Sequence, residues 1–308
     1  MANNINNSTD DELRDNLINS QEENFTNFDD HEEATNIDLN GSAFNRKYGI
    51  NPRVKSKPEL REKNILLSVS HLKQFFFFGS GPHRAKLKAV SNVSFNVHEG
   101  ECLGIVGESG CGKTTTGRCI IKLYDITSGS IYYRGVRISA GDRWNKKEIK
   151  WTRIHCREKV NELMKAKEAE IATLVKGSAD YQEKVAEISK RYEDEIQNVK
   201  ANADSIVAAQ QEKIRQIDFD NKHVSRKLVN EIQMIFQDPV DSLDPRMTVE
   251  DIIQEGLKIQ GFNNRALNHK KVVEMLEKVG LVPEHASRYP NEFSGGQRQR
   301  IGIARALI

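Results

Sequence analysis

Gly107-Glu108-Ser109-Gly110-Cys111-Gly112-Lys113-Thr114 spaces two glycines, a lysine and a hydroxyl in the order G-x-x-x-x-G-K-[ST]. Each residue type has a task in that order. The glycines let successive backbone N–H groups converge on phosphate oxygens, and a helix opening at Lys113 adds the positive end of its dipole. Lys113 would neutralise β- and γ-phosphates, and Thr114 would offer its hydroxyl to Mg²⁺. Cys111 lies inside the loop, where a helix start can lower a thiol pKa. A passive small residue is the plainer reading of it. Near the far end, Ser294-Gly295-Gly296-Gln297 precedes the apolar-periodic run "RQRIGIARALI". Glycines and a hydroxyl at the start of a helix make a second place for an anion.

These residues need elements to hold them. "CLGIV" (102–106) is a short apolar run entering the glycine loop, consistent with a strand buried on both faces. "KTTTGRCIIKLYDI" (113–126) reads as the helix leaving it. Upstream, "NILLSVSHLKQFFFF" (64–78) and "AVSNVSFNVHEG" (89–100) carry strand-like runs, with Val93, Phe95 and Val97 sharing one face. "SGSIYYRGVRI" (128–138) reads as two short strands turning at Arg134-Gly135. "IQMIF" (232–236) returns to a strand leading into a loop, and "MTVEDIIQEGL" and "NHKKVVEMLEKVGL" are amphipathic helices.

Residues 146–225 differ in kind. Apolar residues recur at Val160, Met164, Ile171 and Leu174, then at Tyr181, Val185, Ile188, Tyr192, Ile196, Val199, Ala203 and Ile206. Steps of three and four flanked by Lys and Glu predict a heptad-like seam, hence a protruding helical hairpin. "KGSAD" (176–180) and "NADS" (202–205) are the expected breaks, with Asp180 or Ser205 as helix caps.

Composition excludes several classes. The 308 residues are 37% hydrophobic and 29% charged, and no apolar stretch approaches the length of a membrane span. "MANNINNSTDDELRD" lacks the basic start and apolar run of a secretory signal. Four cysteines form no C-x-x-C pair, which fits a reducing compartment. The formal net charge of +2 hides an asymmetry: residues 1–40 hold eleven acids and one arginine, so the remainder carries about +12. The acidic stretch reads as a disordered tail.

The quoted motifs resemble those of the ATP-binding subunits of ABC transporters, within them the oligopeptide/dipeptide importers. "IQMIFQDPVDSLDPRMTV" (232–249) is similar to that family's Q-loop, and "RYPNEFSGGQRQRIGIARAL" (288–307) to its signature region. The resemblance implies an α/β P-loop NTPase of ABC ATPase type, a RecA-like core plus a helical subdomain. It implies ATP and Mg²⁺ bound by Gly107, Glu108, Ser109, Gly110, Cys111, Gly112, Lys113, Thr114 and Thr115, with Thr114 and Gln237 on the metal. Gln237 would also sit near the attacking water. Phe75 would stack on adenine, with Phe76 in reserve. Ser294, Gly295, Gly296 and Gln297 would grip ATP held by an opposite subunit. Implied partners are a second ATP-binding subunit, alike or related, membrane permease subunits and a separate peptide-binding receptor. No direct nucleic-acid partner is expected, and the implied location is the cytoplasmic face of the membrane, as a peripheral protein.

The resemblance covers roughly residues 64–145 and 226–308. The expected domains are a tail (1–62), the first part of the nucleotide-binding domain (63–145), a helical coiled-coil-like insertion (146–225), and the Q-loop, helical subdomain and signature (226–308). The family continues past the signature helix into a Walker B strand ending in Asp-Glu and then a switch histidine. The sequence stops before both. The expectation is therefore a chain truncated before that strand, poorly folded alone, that binds ATP without hydrolysing it. Two other readings stay open: a chromosome-maintenance ATPase, and a regulatory remnant that docks without turnover. Against the first, Gln237 follows the helical insertion, whereas that class places its coil after the Q-loop.

Overall fold

The computed structural model describes residues 41–79, 85–174, 180–236 and 242–308. The expected acidic tail, residues 1–40, lies outside the described residues. Residues 1–44 and 45–308 are separate compact units, and of the first only the start of helix α1 (Gly41–Tyr48) is described. The tail was expected to run to residue 62. Instead Tyr48, Ile50 and Val54 are buried, the Tyr48 hydroxyl donates to Glu231 at 2.8 Å, and α2 (Pro58–Glu62) follows. Three apolar side chains suffice to hold this polar stretch down.

Alternation builds the sheet. Strands β1 (Ile65–Phe78), β2 (Ala85–His98), β3 (Ser128–Tyr133) and β4 (Val136–Asp142) pair antiparallel in the order β2-β1-β3-β4. Val69, Leu72, Ile131 and Ile138 are buried beneath it. The β3–β4 turn is the expected one: Arg134 (φ 47°) and Gly135 (φ 72°) both take positive φ, the geometry that suits a two-residue hairpin. Between β2 and β3 comes α3 (Lys113–Ile120). The helix was expected to reach residue 126. It stops because Lys122 turns left-handed (φ 60°) and Leu123 N–H donates to Arg118 O, closing the last turn.

From β4 the chain enters α4 (Arg143–Ala172) and returns along α5 (Tyr181–Lys222). Asn145 donates to Gln210 near the base, and Lys167 pairs with Glu193 towards the far end, so the two helices run antiparallel as a hairpin. The seam departs from expectation at two points. Met164 is 51% exposed while Leu163 is half-buried, and Ile206 is 38% exposed while Val207 is 8%. Packing takes the three-then-four step at the first point and the four-step at the second. "NADS" does not break α5, and Ser205 caps nothing; an alanine-rich stretch with Ala203 and Val207 facing α4 carries the helix through. Asp180 stands at the N-cap of α5 without a side-chain capping bond, and 175–179 lie outside the described residues.

After α6 (Arg226–Val229), a helical subdomain forms from α7 (Val249–Ile259), α8 (Arg265–Lys278), two 3₁₀ turns and α9 (Gly295–Leu307). Thr248, Asn264 and Ser294 cap the three helices by accepting from the N–H three residues on. Ile252, Ile253, Val272, Leu276, Phe293 and Ile301 form its core.

Two expected strands are not strands. Residues 102–106 and 232–236 are irregular, with Leu103 40%, Ile105 47%, Val106 95%, Ile235 53% and Phe236 39% exposed. A strand buried on both faces needs hydrogen-bonded neighbours on both edges. Among the described residues none pairs with either run, so their apolar side chains stay outside the core.

Candidate nucleotide site

The glycine loop is held by its own chemistry. Gly110 (φ 83°) and Gly112 (φ 98°) take backbone angles that side chains resist. A Cβ on Gly112 would lie 2.4 Å from the Ala89 carbonyl oxygen, and one on Gly107 would lie 2.6 Å from the Cys111 Sγ. Gly112 therefore requires the absence of a side chain, whereas at Gly107 the Cys111 side chain would have to turn away. Gly112 is also the N-cap of α3, so the loop turns directly into a helix whose first N–H groups point into it. Thr116 closes that first turn, donating its N–H to Gly112 O at 2.8 Å and its hydroxyl to the same oxygen at 3.0 Å.

Lys113 folds over this loop. Its Nζ donates to Gly107 O at 2.7 Å and Glu108 O at 2.6 Å, and stands 3.6 Å from Cys111 Sγ. The ammonium is thus fixed above a ring of converging backbone, where a phosphate chain would meet positive charge and free N–H donors. Thr114 is exposed on the first turn, with its hydroxyl open to a cation, and Thr115 is half-buried beside it. Glu108 and Ser109 lie exposed along the rim. A loop closed to a Cβ at Gly112, a helix N-terminus and a loop-bound lysine together fit a nucleotide's phosphates.

Strand β2 ties this cradle to the aromatic run. Val90, which flanks Gly112, pairs with Gln74, and Lys88 pairs with Phe75. Phe75 therefore stands beside the loop, half-buried, with its N–H donated to Thr127 Oγ1 at 2.9 Å. The Lys86 ammonium covers its ring at 4.4 Å from the centroid. Phe76 is spoken for by a different contact, edge-on to Tyr124 at 5.4 Å. Lys86 and Thr127 were not singled out from sequence. The cross-strand register that places Lys86 and Lys88 opposite Phe77 and Phe75 was the signal, but it is invisible until β1 and β2 are paired.

Ser294 is built as its sequence suggests. Its Oγ accepts from Gln297 N–H at 3.4 Å while Gln297 Oε1 accepts from Ser294 N–H at 3.0 Å, a reciprocal capping box. Gly295 and Gly296 are exposed, and a Cβ on either would meet nothing within 4 Å. Their glycine identity is thus not demanded by packing inside this chain. Arg298 donates to Pro290 O at 2.8 Å and fixes the helix start against the preceding turn. No described hydrogen bond or ion pair joins residues 107–115 to 294–297. Gln237 lies outside the described residues.

Comparison with known proteins gives the family of the chain. The sequence pattern of the family described as ABC transporter matches residues 90–214 and 203–308. The oligopeptide transport ATP-binding protein OppF of Bacillus subtilis is 37% identical over 243 residues, 79% of this chain and 53% of the relative. The dipeptide transport ATP-binding protein DppF of Lactococcus lactis is 35% identical over 223 residues, 71% of this chain and 46% of the relative. A dimeric bacterial ABC transporter cassette, MJ0796, aligns at TM-score 0.45 and 19% identity over 79% of this chain and 69% of that one. The chain spans about half the length of the curated relatives it matches.

Proposed function

The chain belongs to the ABC transporter family, and on that premise we propose that it is the ATP-binding subunit of a peptide importer. The single observation that carries the nucleotide part is the Lys113 cradle, with a glycine at position 112, where a Cβ would collide with the Ala89 carbonyl. Residues 107–115 would hold the phosphates, Thr114 and Gln237 would ligate Mg²⁺, and Phe75 would take the adenine in place of the Lys86 ammonium now over its ring. Bound Mg²⁺ neutralises charge on the β- and γ-phosphates.

The open, unpacked Gly295 and Gly296 at a capped helix start support the dimer part of the reading. Residues kept small without an internal neighbour suit a surface that closes on something else. Here that is the ATP phosphates of a second subunit, head to tail. Binding energy realised only in the closed pair moves the permease. Oligopeptides and dipeptides are the proposed cargo, because relatives 37% and 35% identical to the chain are named for those transports; a separate receptor would deliver them. The subunit works at the cytoplasmic face of the membrane.

The 308-residue chain is proposed to bind Mg-ATP through this site. The test is calorimetric titration of that chain with Mg-ATP alongside a phosphate-release assay, then labelled oligopeptide uptake in source cells depleted of the protein. Saturable binding and lost uptake support the reading. Absence of nucleotide binding overturns the site, and unchanged uptake overturns the cargo.

A further inference from the structure

We infer that the first half of α4 is a docking face for an anionic phospholipid surface. Between residues 143 and 157 the helix carries six basic residues (Arg143, Lys146, Lys147, Lys150, Arg153, Arg157) against one acid, Glu148. Arg143, Lys146, Lys150, Arg153 and Arg157 recur at steps of three and four, so they share one helix face, and all five are exposed. The seam against α5 uses Asn145, Ile149, Thr152 and Cys156, the more covered positions. The basic stripe is therefore a second face that the hairpin's own packing does not use.

The stripe is also largely uncompensated. Lys146 pairs with Asp142, and the Arg143 guanidinium lies 4.5 Å over the Phe77 ring, fixing the start of the stripe on the sheet. Among the described residues, Lys150, Arg153 and Arg157 have no hydrogen-bond or ion-pair partner. The charges farther out on the hairpin behave differently: Lys167 pairs with Glu193, and Arg191 with Glu170. Mixed-sign pairing marks an ordinary solvated coil, whereas the five-residue stripe on α4 carries one sign and, among the described residues, leaves three of its charges unpaired.

Geometry selects the occupant. From residue 143 to residue 157 the helix rises about 21 Å in a straight line. A bilayer of anionic lipids presents a flat, continuous sheet of phosphates that such a line can lie along, and clusters of four to eight basic residues on a helix suit this surface. DNA phosphates wind away from a straight single-face stripe within a short arc. Trp144, 38% exposed beside Lys147, flanks the stripe with a side chain that favours the bilayer interface. No described helix is long and apolar enough to cross a membrane, so the contact would be peripheral. This inference is independent of nucleotide binding, and either can fail without the other.

The test is co-sedimentation of the full 308-residue chain with vesicles of phosphatidylcholine alone, and with vesicles of phosphatidylcholine and phosphatidylglycerol in equal parts, across a salt series. The triple variant K150Q/R153Q/R157Q and the control K184Q/K190Q/K200Q on α5 are run beside it, with helicity checked by circular dichroism. The expected result is binding to the anionic vesicles only, weakened by salt, reduced about tenfold or more in the α4 triple and unchanged in the control. Equal binding to both vesicle types, or equal loss in both triples, overturns the inference. Tighter binding to duplex DNA than to anionic vesicles overturns it in favour of a nucleic-acid face. Should the α4 triple fail to fold, the lipid selectivity and salt dependence of the unmodified chain decide the matter.

Discussion

Arg137 on β4 and Asp220 near the end of α5 form an ion pair whose side chains are 6% and 2% exposed. Arg137 Nε donates to Asp220 Oδ2 at 2.6 Å, and Asp220 Oδ1 accepts from Gln216 Nε2 at 2.7 Å and from Lys55 N–H at 3.2 Å. One residue on, the Asn221 side-chain amide exchanges two hydrogen bonds with the Ala140 backbone, covering the outer edge of β4 as another strand would. Lys122, just past the glycine-loop helix, donates its Nζ to Asn221 O at 2.8 Å. The returning helix of the hairpin is thus locked to the sheet and touches the element that leaves the glycine loop.

Removing one partner of this pair leaves the other charged and buried. Asp220→Ala is expected to destabilise by about 3–5 kcal/mol. The double variant R137M/D220L, which removes both charges, is expected to lose far less. Urea unfolding of all three proteins checks this, and a loss under 1 kcal/mol in Asp220→Ala would show that the pair does not anchor the hairpin.

Lys113→Ala is expected to abolish measurable Mg-ATP binding while leaving the unfolding midpoint nearly unchanged, because Lys113 bonds only to its own exposed loop. Gly112→Ala should lose binding and stability together, by about 1–3 kcal/mol, since it imposes a Cβ at φ 98° against Ala89 O. Titration calorimetry and thermal unfolding separate the two outcomes. Retained binding in Gly112→Ala would show that the close approach to the Ala89 carbonyl does not shape the loop for the nucleotide.

The hairpin register predicts opposite effects at neighbouring positions. Val207→Asn places an amide against α4 and is expected to cost about 2 kcal/mol, whereas Ile206→Asn stays within about 0.5 kcal/mol. Leu163→Asn and Met164→Asn should divide the same way. Circular dichroism melts of the four variants check the seam, and a larger loss at Ile206 than at Val207 would reverse it.

Glu231 joins three segments by accepting from the Tyr48 hydroxyl at 2.8 Å, the Tyr133 hydroxyl at 3.2 Å and Arg134 Nε at 2.8 Å. Burial alone would raise its pKa; the hydrogen bonds from Arg134 and Tyr48 outweigh that and hold it below the usual carboxylate value. A lowered folded pKa means the stabilisation is full above the unfolded value of about 4.3 and is lost as pH falls through the folded one. Glu231→Gln should therefore be less stable than the unmodified chain at neutral pH and converge with it in acid. Denaturation midpoints taken from pH 7 downward test this; a constant difference across the range would exclude the carboxylate as its source.

The sequence by itself determined what short-range chemistry controls. Gly107 to Thr114 specify a lysine-held glycine loop because its angles, its lysine contacts and its helix cap all arise within eight residues. Thr248, Asn264 and Ser294 announce their helices for the same reason, since a cap and its N–H are three residues apart. Arg134-Gly135 fixes the β3–β4 turn locally. Tertiary structure decided whatever needs a distant partner. Residues 102–106 and 232–236 have the composition of buried strands, yet a strand exists only where another supplies its hydrogen bonds. The seam passes through Leu163 and Val207 rather than Met164 and Ile206, because a heptad permits either step and only the facing helix selects one. Asp220 reads as one more acid in a charged helix until β4 brings Arg137 against it from 83 positions away, and burial turns an ordinary surface charge into an anchor.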